Sequence, residues 1–241
     1  MSEQINRKLR TRKALLDSAL EWVSEGRHFA SLSIREVAKK AGVSPNAFYR
    51  HFKDLDELAL ALVDELGLML RQLMRQARLR GLAANSMIND SVDFFIEQVQ
   101  TNPNLFRFMA QCLTGGSAST REAIRHELNY FSKELVTDLN RLRVLTHIDA
   151  EDLDMIGILV VNTVAMTITD LLDTPEGSDN LIRAVRNRTV KQVRLIFIGA
   201  DSWRSDSDRH KKKDKEKPAA PKPSKRKKKK RLSAKSDDAD V

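Results

Sequence analysis

The chain has 241 residues, 41% of them hydrophobic, so it is long enough and apolar enough to bury a real core. Glycine and proline are sparse, at 9 and 6 residues, and the remaining composition favours helices over strands. The net charge of +9 suits a polyanionic partner, and the single cysteine, Cys112, excludes an internal disulfide bond and a cysteine-rich zinc site.

The charge is unevenly distributed along the chain. Residues 1–53 hold 11 basic and 5 acidic side chains, residues 54–200 hold 15 and 20, and residues 201–241 hold 16 and 8. We call residues 1–53 the head and residues 54–200 the body. A basic head suits nucleic acid, whereas an acidic body suits neither nucleic acid nor an anionic membrane. Charge alone leaves a solvated basic face equally open, so the motif within the head has to decide.

The first predicted helix spans roughly Arg7 to Ser24 and ends near Gly26, where a left-handed turn costs little. Its apolar face consists of Leu9, Leu16, Leu20 and Val23. The stretch MSEQINRKLRTRKALL has no apolar segment before its charges, so we expect no signal peptide and a cytoplasmic protein.

A helix-turn-helix pattern follows. Ser33 and Glu36 match a capping box at the start of the second helix, and Gly42 can take the positive φ that the turn needs. Ser44 can cap a third helix, with Pro45 in its first turn. These signals arrive in the right order within 20 residues, which favours a DNA-binding motif over an ordinary helical hairpin.

The third helix is predicted to enter the major groove with its N-terminal residues. Asn46 can bond a base edge and Ala47 can touch a thymine methyl group, while Tyr49, His51 and Lys53 are placed for phosphates. Phe48 and Phe52, four apart, are predicted to point into the core of the head. The full set of predicted DNA contacts is Ser33, Arg35, Ser44, Pro45, Asn46, Ala47, Tyr49, Arg50, His51 and Lys53.

Asp54 can cap a long helix from Leu55 to about Arg80, which would tie the head to the body. Its predicted apolar face is Leu58, Leu62, Leu66, Met69, Leu70 and Leu73. The segment from Asn85 to Gln111 then supplies rings and flexible methionines that suit a pocket for an alkyl chain. From the residues alone, an ordinary helical core is the better interpretation of that segment.

Residues 155–169, MIGILVVNTVAMTIT, carry no charge, but 15 positions are too few to span a bilayer. We expect this helix to be buried between the body core and a second subunit. A helix from Asp179 to about Ile198 follows, with a stripe formed by Leu181, Val185, Thr189, Val193 and Ile196. Two such helices from each chain would make a four-helix dimer interface, and a dimer suits a palindromic operator.

The lysine-rich residues 201–241 contain almost no large apolar side chains, so we expect a disordered tail that raises non-specific DNA affinity or simply solubilises the chain. No phosphate-binding loop, dinucleotide fingerprint or HExxH motif occurs, and the five histidines lie in no ligand spacing. Cys112 sits in an apolar stretch and is predicted to be an inert buried thiol. We therefore expect no enzyme, no cofactor and no metal, although an enzyme or lipid carrier on a borrowed helical scaffold stays an alternative.

The stretch SLSIREVAKKAGVSPNAFYRHFKDLDEL, residues 31–58, resembles the DNA-binding segment of the TetR family of bacterial repressors. LALALVDELGLMLRQLMRQARLR (58–80) and TNPNLFRFMAQ (101–111) further resemble the FabR and DesT branch, which controls unsaturated fatty acid synthesis and acyl-chain desaturation. The resemblance weakens after about residue 114. It implies a homodimeric repressor that senses a long-chain acyl thioester, on acyl-CoA or acyl carrier protein.

An acyl thioester headgroup would need arginines at the pocket mouth, and Arg107, Arg121 and Arg125 are available. The predicted ligand residues are Met69, Leu73, Phe94, Phe95, Phe106, Phe108, Met109, Arg107 and Arg125. A repressor of an efflux or stress operon that responds to another hydrophobic compound is the alternative.

The predicted fold is all-α: an N-terminal three-helix helix-turn-helix domain, a larger helical ligand-binding and dimerisation domain (about nine helices) and a disordered basic C-terminal tail. The boundaries are residues 1–54, 55–200 and 201–241.

Overall fold

The computed structural model describes residues 2–79 and 87–205, with the side chains of Ser2, Leu73 and residues 75–79 left aside. This part of the chain is helical and contains no strand. It comprises α1 (Ser2–Ser24), α2 (Ile34–Lys40), α3 (Pro45–Phe48), α4 (Leu55–Leu79), α5 (Met87–Thr101), α6 (Pro103–Thr114), α7 (Ala118–Arg141), α8 (Ala150–Ala165), α9 (Thr167–Leu172) and α10 (Asp179–Ser202), with a short 3-10 turn at Phe29–Ser31. The all-α prediction is confirmed.

The first helix is longer than the periodicity indicated. It begins at Ser2 rather than near Arg7, and Leu9, predicted on its apolar face, is exposed. Residues 3–10 are all exposed, because the buried stripe starts only at Leu15, where neighbouring helices reach α1. The predicted end at Ser24 and the left-handed Gly26, with φ of +87°, are confirmed.

One continuous apolar core runs from the head into the body. It joins Leu16 and Val23 of α1 to Leu58 and Leu62 of α4 and to Phe108 of α6. At the contact between α1 and α6, the Phe29 ring meets the Phe108 ring edge-on, with centroids 5.0 Å apart. Residues 1–205 accordingly form one compact unit, and the proposed domain boundary at residue 54 stays a prediction.

The start of α4 matches its prediction, and α10 is longer than predicted. Glu57 N donates to Asp54 Oδ1 at 2.9 Å, which confirms the predicted cap of α4, and α10 extends beyond the predicted Ile198 to Ser202. The predicted α4 end at Arg80, Asn85 and the tail from residue 206 lie outside the described residues.

The stripe predicted for α10 faces inward rather than toward a partner. Val185, Thr189 and Val193 are buried within the chain, because α10 packs on α5, α8 and α9. The apolar side chains left at the surface of α8 and α10 are Met155, Ile158, Leu159, Leu195 and Ile198, together with Leu181 from the N-terminal end of the predicted stripe.

The charge-free segment is one part of a longer apolar stretch. Residues Ala150–Leu172, which cover α8 and α9, are long and apolar enough by length and composition to cross a bilayer. Leu153, Ile156 and Val160 of α8 are nevertheless packed inside the protein, whereas Met155, Ile158 and Leu159 face outward. A core helix with one face free for a second subunit accounts for this pattern.

Candidate DNA-binding surface and ligand cavity

The start of α2 is fixed by a reciprocal cap. Ser33 Oγ accepts a hydrogen bond from Glu36 N at 3.3 Å, and the Glu36 carboxylate accepts from Ser33 N at 2.9 Å. Hydrogen bonds from the Ser33 hydroxyl and backbone, helped by Arg27, hold the pKa of Glu36 below its ordinary value. The predicted capping box is therefore present, and the Ser33 hydroxyl is engaged in it.

The turn between α2 and α3 uses the residues that the sequence indicated. Gly42 has φ of +69°, a conformation that costs a residue with a Cβ, and Val43 N donates to Ala38 O at 2.9 Å. Ser44 Oγ then accepts from Ala47 N at 3.3 Å, with Pro45 at the first helical position. Helix α3 itself is a single turn, continued to Phe52 by turn hydrogen bonds.

Two phenyl rings anchor this helix from behind. Phe48 and Phe52 are fully buried, with ring centroids 5.7 Å apart. The Arg12 guanidinium of α1 lies 4.4 Å from the Phe52 ring centroid and donates to His51 O at 3.3 Å. Arg12, absent from the predicted contacts, thus positions the end of α3, a long-range role that sequence spacing could not show.

Most of the predicted DNA contacts lie on the surface of the head. The exposed members are Ser33, Arg35, Ser44, Pro45, Asn46, Tyr49, Arg50 and Lys53. Tyr49 is 58% exposed although it is large and aromatic, and its ring meets Phe48 edge-on. Four of the set, Tyr49, Arg50, His51 and Lys53, line one shallow depression beside Glu57.

The two remaining predicted contacts, Ala47 and His51, are half-buried. Burial, with lesser contributions from the positive charges of Lys8, Arg12 and Arg50, lowers the pKa of His51. In the protein without DNA the lowered pKa favours the neutral imidazole, which can offer a phosphate a hydrogen bond but no charge.

A cavity of about 580 Å³ lies in the body between α4, α5, α6, α7, α8 and α10. That volume falls within the usual range of small-molecule sites, about 300–1,000 Å³. Its lining contains four of the predicted ligand residues, namely Phe94, Phe95, Phe106 and Met109. Phe95 and Phe106 meet edge-on with centroids 5.8 Å apart.

Other predicted ligand residues lie elsewhere. Phe106 and Phe108 are two positions apart on α6, about 200° around the helix, so both cannot face one cavity. Phe108 packs on Phe29 instead. Met69 packs at the edge of the core and is not part of the described lining, and the Leu73 side chain lies outside the described residues.

The arginines proposed for a headgroup are likewise absent from the described lining. Arg125 is exposed and Arg107 is half-buried outside the cavity, while Arg121 donates to Gly116 O at 2.7 Å and holds the loop after α6. The charged lining residues within the described ranges are all acids: Asp90, Asp93, Glu97, Glu127 and Asp138. Sequence reasoning missed them, because the acids of α5 and α7 line one cavity only in the folded chain.

The side chain of Gln111 links α6 to the head. Its Nε2 donates to Arg27 O at 3.1 Å, and its Oε1 accepts from Phe29 N at 2.9 Å. These bonds cross from the body to the loop after α1, more than 80 positions away in sequence. Since α6 also carries Phe106 and Met109, one helix contacts both the cavity and the head.

Neither an activated thiol nor a metal-binding cluster is found among the described residues. Burial raises the pKa of Cys112 to about 12, so the thiol stays protonated and unreactive near neutral pH. Among residues 2–79 and 87–205, no group of three His, Cys, Asp or Glu side chains is arranged to hold a metal ion.

Two known domain families match this chain. Residues 15–62 match the family described as bacterial regulatory proteins, tetR family. Residues 84–199 match the tetracyclin repressor-like C-terminal domain. The first match runs from the middle of α1 into α4, and the second includes α5 to α9 and most of α10.

Solved structures share the same fold. A transcriptional regulator from Rhodococcus sp. Rha1 is 24% identical, with a TM-score of 0.54 over 81% of this chain and 98% of that chain. The fatty acid degradation regulator FadR from Bacillus halodurans is 16% identical, with a TM-score of 0.61 over 75% and 94%. FadR from Bacillus subtilis, solved with stearoyl-CoA, is 16% identical, with a TM-score of 0.58 over 75% and 96%. These matched proteins are transcriptional regulators rather than enzymes, and at these identities the likeness is one of fold.

Proposed function

We propose that this chain, which belongs to the tetR family of bacterial regulatory proteins, is a homodimeric repressor whose hold on DNA is controlled by a long-chain acyl compound. The proposed response to a ligand is supported by one observation: helix α6 contacts both the cavity and the head. Phe106 and Met109 of this helix line the cavity, and Gln111 bonds the head. Occupancy of the cavity can therefore bias the position of the head.

The proposed DNA contacts use the exposed surface of the head. Asn46 and Ala47 would read base edges in the major groove, and Tyr49, Arg50 and Lys53 would bond phosphates. Ser33, Arg35, Ser44 and Pro45 would lie beside the backbone, with His51 contributing only a neutral hydrogen bond. Lys40 is already bonded to Glu25 and lies over the Trp22 ring, so it is not among these contacts.

Dimerisation supplies the second recognition helix. The exposed apolar side chains of α8 and α10, among them Met155, Leu159 and Ile198, form the face that we propose a second copy covers. Two heads placed about one helical turn of DNA apart, roughly 34 Å, would read a palindromic operator. We expect the dimer to act in the bacterial cytoplasm, where the chromosome lies.

The proposed targets are genes of unsaturated fatty acid synthesis or desaturation, and the proposed effector is a long-chain acyl thioester. The resemblance of residues 58–80 and 101–111 to the FabR and DesT branch supports this choice, as does the apolar cavity. The solved FadR complex with stearoyl-CoA indicates that a regulator with this fold can accommodate a long acyl chain.

A second candidate is a repressor of an efflux or stress operon that responds to another hydrophobic compound. The acidic lining of the cavity favours it, because no described basic side chain there would meet the phosphates of a coenzyme. The two candidates share the DNA-binding head and differ only in effector and target genes.

Operator binding tests the proposal. The double variant Tyr49→Ala/Lys53→Ala should lose operator affinity, and the slope of log affinity against log salt should fall by about 1 for each Lys–phosphate contact removed. The matched control is Tyr130→Ala/Lys133→Ala, which removes the same two residue types from exposed sites on α7. Equal loss in both variants would contradict the proposed surface.

The effector is tested by gel shift on DNA upstream of lipid-synthesis genes and of efflux genes. Decanoyl-CoA, oleoyl-CoA and an unrelated hydrophobic drug are each added at matched concentration. A shift altered by the acyl compounds supports the first candidate, and one altered only by the drug supports the second. If none of the three compounds alters the gel shift, the proposed sensor function is contradicted, while the proposed DNA binding is unaffected.

A further inference from the structure

A side-chain amide that has no hydrogen-bond partner among the described residues belongs to the lining of the ligand cavity. Gln98 of α5 is 9% exposed and lines the cavity. Its backbone oxygen accepts from Asn102 N at 3.0 Å, but its side-chain amide makes no hydrogen bond to any group in residues 2–79 and 87–205. Neither amide atom is among the fully buried, unbonded side-chain atoms of the described residues, so both reach accessible space, and the amide can bond a group that enters the cavity.

The surroundings of Gln98 are apolar. Phe94 and Phe95, four and three positions before it, lie on the same side of α5, and both line the cavity. The Phe95 ring meets Phe106 from α6, and Met109 lies one turn further along that helix. Apolar walls with a few convergent polar groups are the usual design of a site for an amphiphile.

The described lining offers an anion no basic partner. All five charged side chains of the described lining are carboxylates, from Asp90, Asp93 and Glu97 on α5 to Glu127 and Asp138 on α7. A carboxylate or phosphate inside this cavity would lose its hydration without gaining an ion pair from the described lining. A free fatty acid is therefore a poor occupant.

The same acids do not require a cationic ligand. Glu127 is bonded to Arg71, Asp93 Oδ2 accepts from Arg186 Nη2 at 2.6 Å, and Asp138 forms an ion pair with Arg141. Glu97, by contrast, is exposed to water, where a carboxylate is stable without a partner. The enclosed charge is thus largely balanced within the chain.

We propose that the cavity binds a long apolar chain that carries an uncharged carbonyl, such as an ester or thioester, and that the Gln98 amide donates to this carbonyl. The inference rests on the proposed function and narrows its ligand: an acyl thioester fits, a free fatty acid and a cationic amphiphile do not. The phosphates of a coenzyme carrier would have to stay outside the cavity.

Calorimetric titration of the full chain with four ten-carbon probes tests this assignment. The probes are decanoyl-N-acetylcysteamine, its thioether analogue without the thioester carbonyl, decanoate and decyltrimethylammonium. We expect the neutral thioester to bind at least tenfold more tightly than either charged probe, and about fivefold to tenfold more tightly than the thioether.

Gln98→Leu should weaken the thioester about fivefold to tenfold and leave the thioether unchanged. Gln100→Leu makes the same change at an exposed position of α5 and should alter neither. Because Leu removes an unpaired amide, Gln98→Leu should melt at or above the wild-type temperature without ligand, which separates lost binding from lost folding.

The outcomes separate the ligand assignment from the proposed function. Tighter binding of decanoate or of the ammonium probe, or equal thioester affinity in Gln98→Leu and wild type, overturns the assignment. If no probe binds, the assignment is also overturned, and operator binding by the unliganded chain shows whether the repressor function survives. Thioester binding through Gln98 that leaves operator affinity unchanged supports the assignment and contradicts the proposed regulation.

Discussion

Replacing Gln111 by Leu should loosen the contact between the head and the body. Two hydrogen bonds are lost, Gln111 Nε2 to Arg27 O at 3.1 Å and Phe29 N to Gln111 Oε1 at 2.9 Å. A neutral hydrogen bond contributes about 0.5–1.5 kcal/mol net, so the free energy of unfolding should fall by about 1–3 kcal/mol. Leu nearly preserves the volume, which keeps the packing term small.

Urea unfolding of the wild type and the variant measures that loss. Amide hydrogen exchange at Phe29, whose N–H loses its acceptor, should accelerate more than exchange at α3. Gln72→Leu, the same change at an exposed site of α4, is the control and should leave both quantities unchanged. A stability change below about 0.3 kcal/mol, or faster exchange in the control as well, would refute the reasoning.

Three further predictions follow from single buried or half-buried groups. Phe48→Ala should lower the free energy of unfolding by about 3–5 kcal/mol, measured in urea, because the ring is fully buried; a loss below 1 kcal/mol would contradict its anchoring role. The pKa of His51 is lower in the folded protein than in the unfolded chain, so the unfolded chain binds the proton more readily. The free energy of unfolding should therefore fall as the pH drops below about 6.5. His51→Gln should reduce this dependence of the unfolding free energy on pH, measured by urea titrations at several pH values. Cys112 should not react with a thiol reagent at pH 8 until urea unfolds the chain, and prompt reaction of the native protein would show that the thiol is accessible.

The head was predictable because its signals are local. The Ser33–Glu36 cap, the Gly42 turn and the Ser44 cap each involve residues within five positions of one another, and all are present. Even the burial of Phe48 and Phe52 follows from their spacing. The exposure of Leu9 escaped prediction, because the periodicity of α1 does not show where its neighbours stop.

The cavity depends on contacts between distant segments, so the sequence indicated only part of it. Aromatic and methionine residues near positions 94–109 do line it, but the carboxylates of α5 and α7 face the same cavity only once the chain has folded. The α10 stripe was placed on the wrong side of the helix for the same reason, since periodicity does not show which apolar face a partner covers. The glycine at position 67, in mid-helix, is explained only by the fold: a Cβ there would overlap the Glu127 carboxylate that bonds Arg71.

The register of α6 ties the cavity to the head. Phe106 and Met109, three positions apart, both line the cavity, while Phe108 and Gln111, also three apart, both contact Phe29 on another side of the same helix. A ligand that displaces the Phe106 side of a packed helix must move the Phe108 side as well, because a close-packed helix shifts as a unit. A ligand can change DNA affinity only if it binds the protein more tightly in one position of the head than in the other. The contacts on the two sides of α6 are where the proposed ligand could create that difference in affinity.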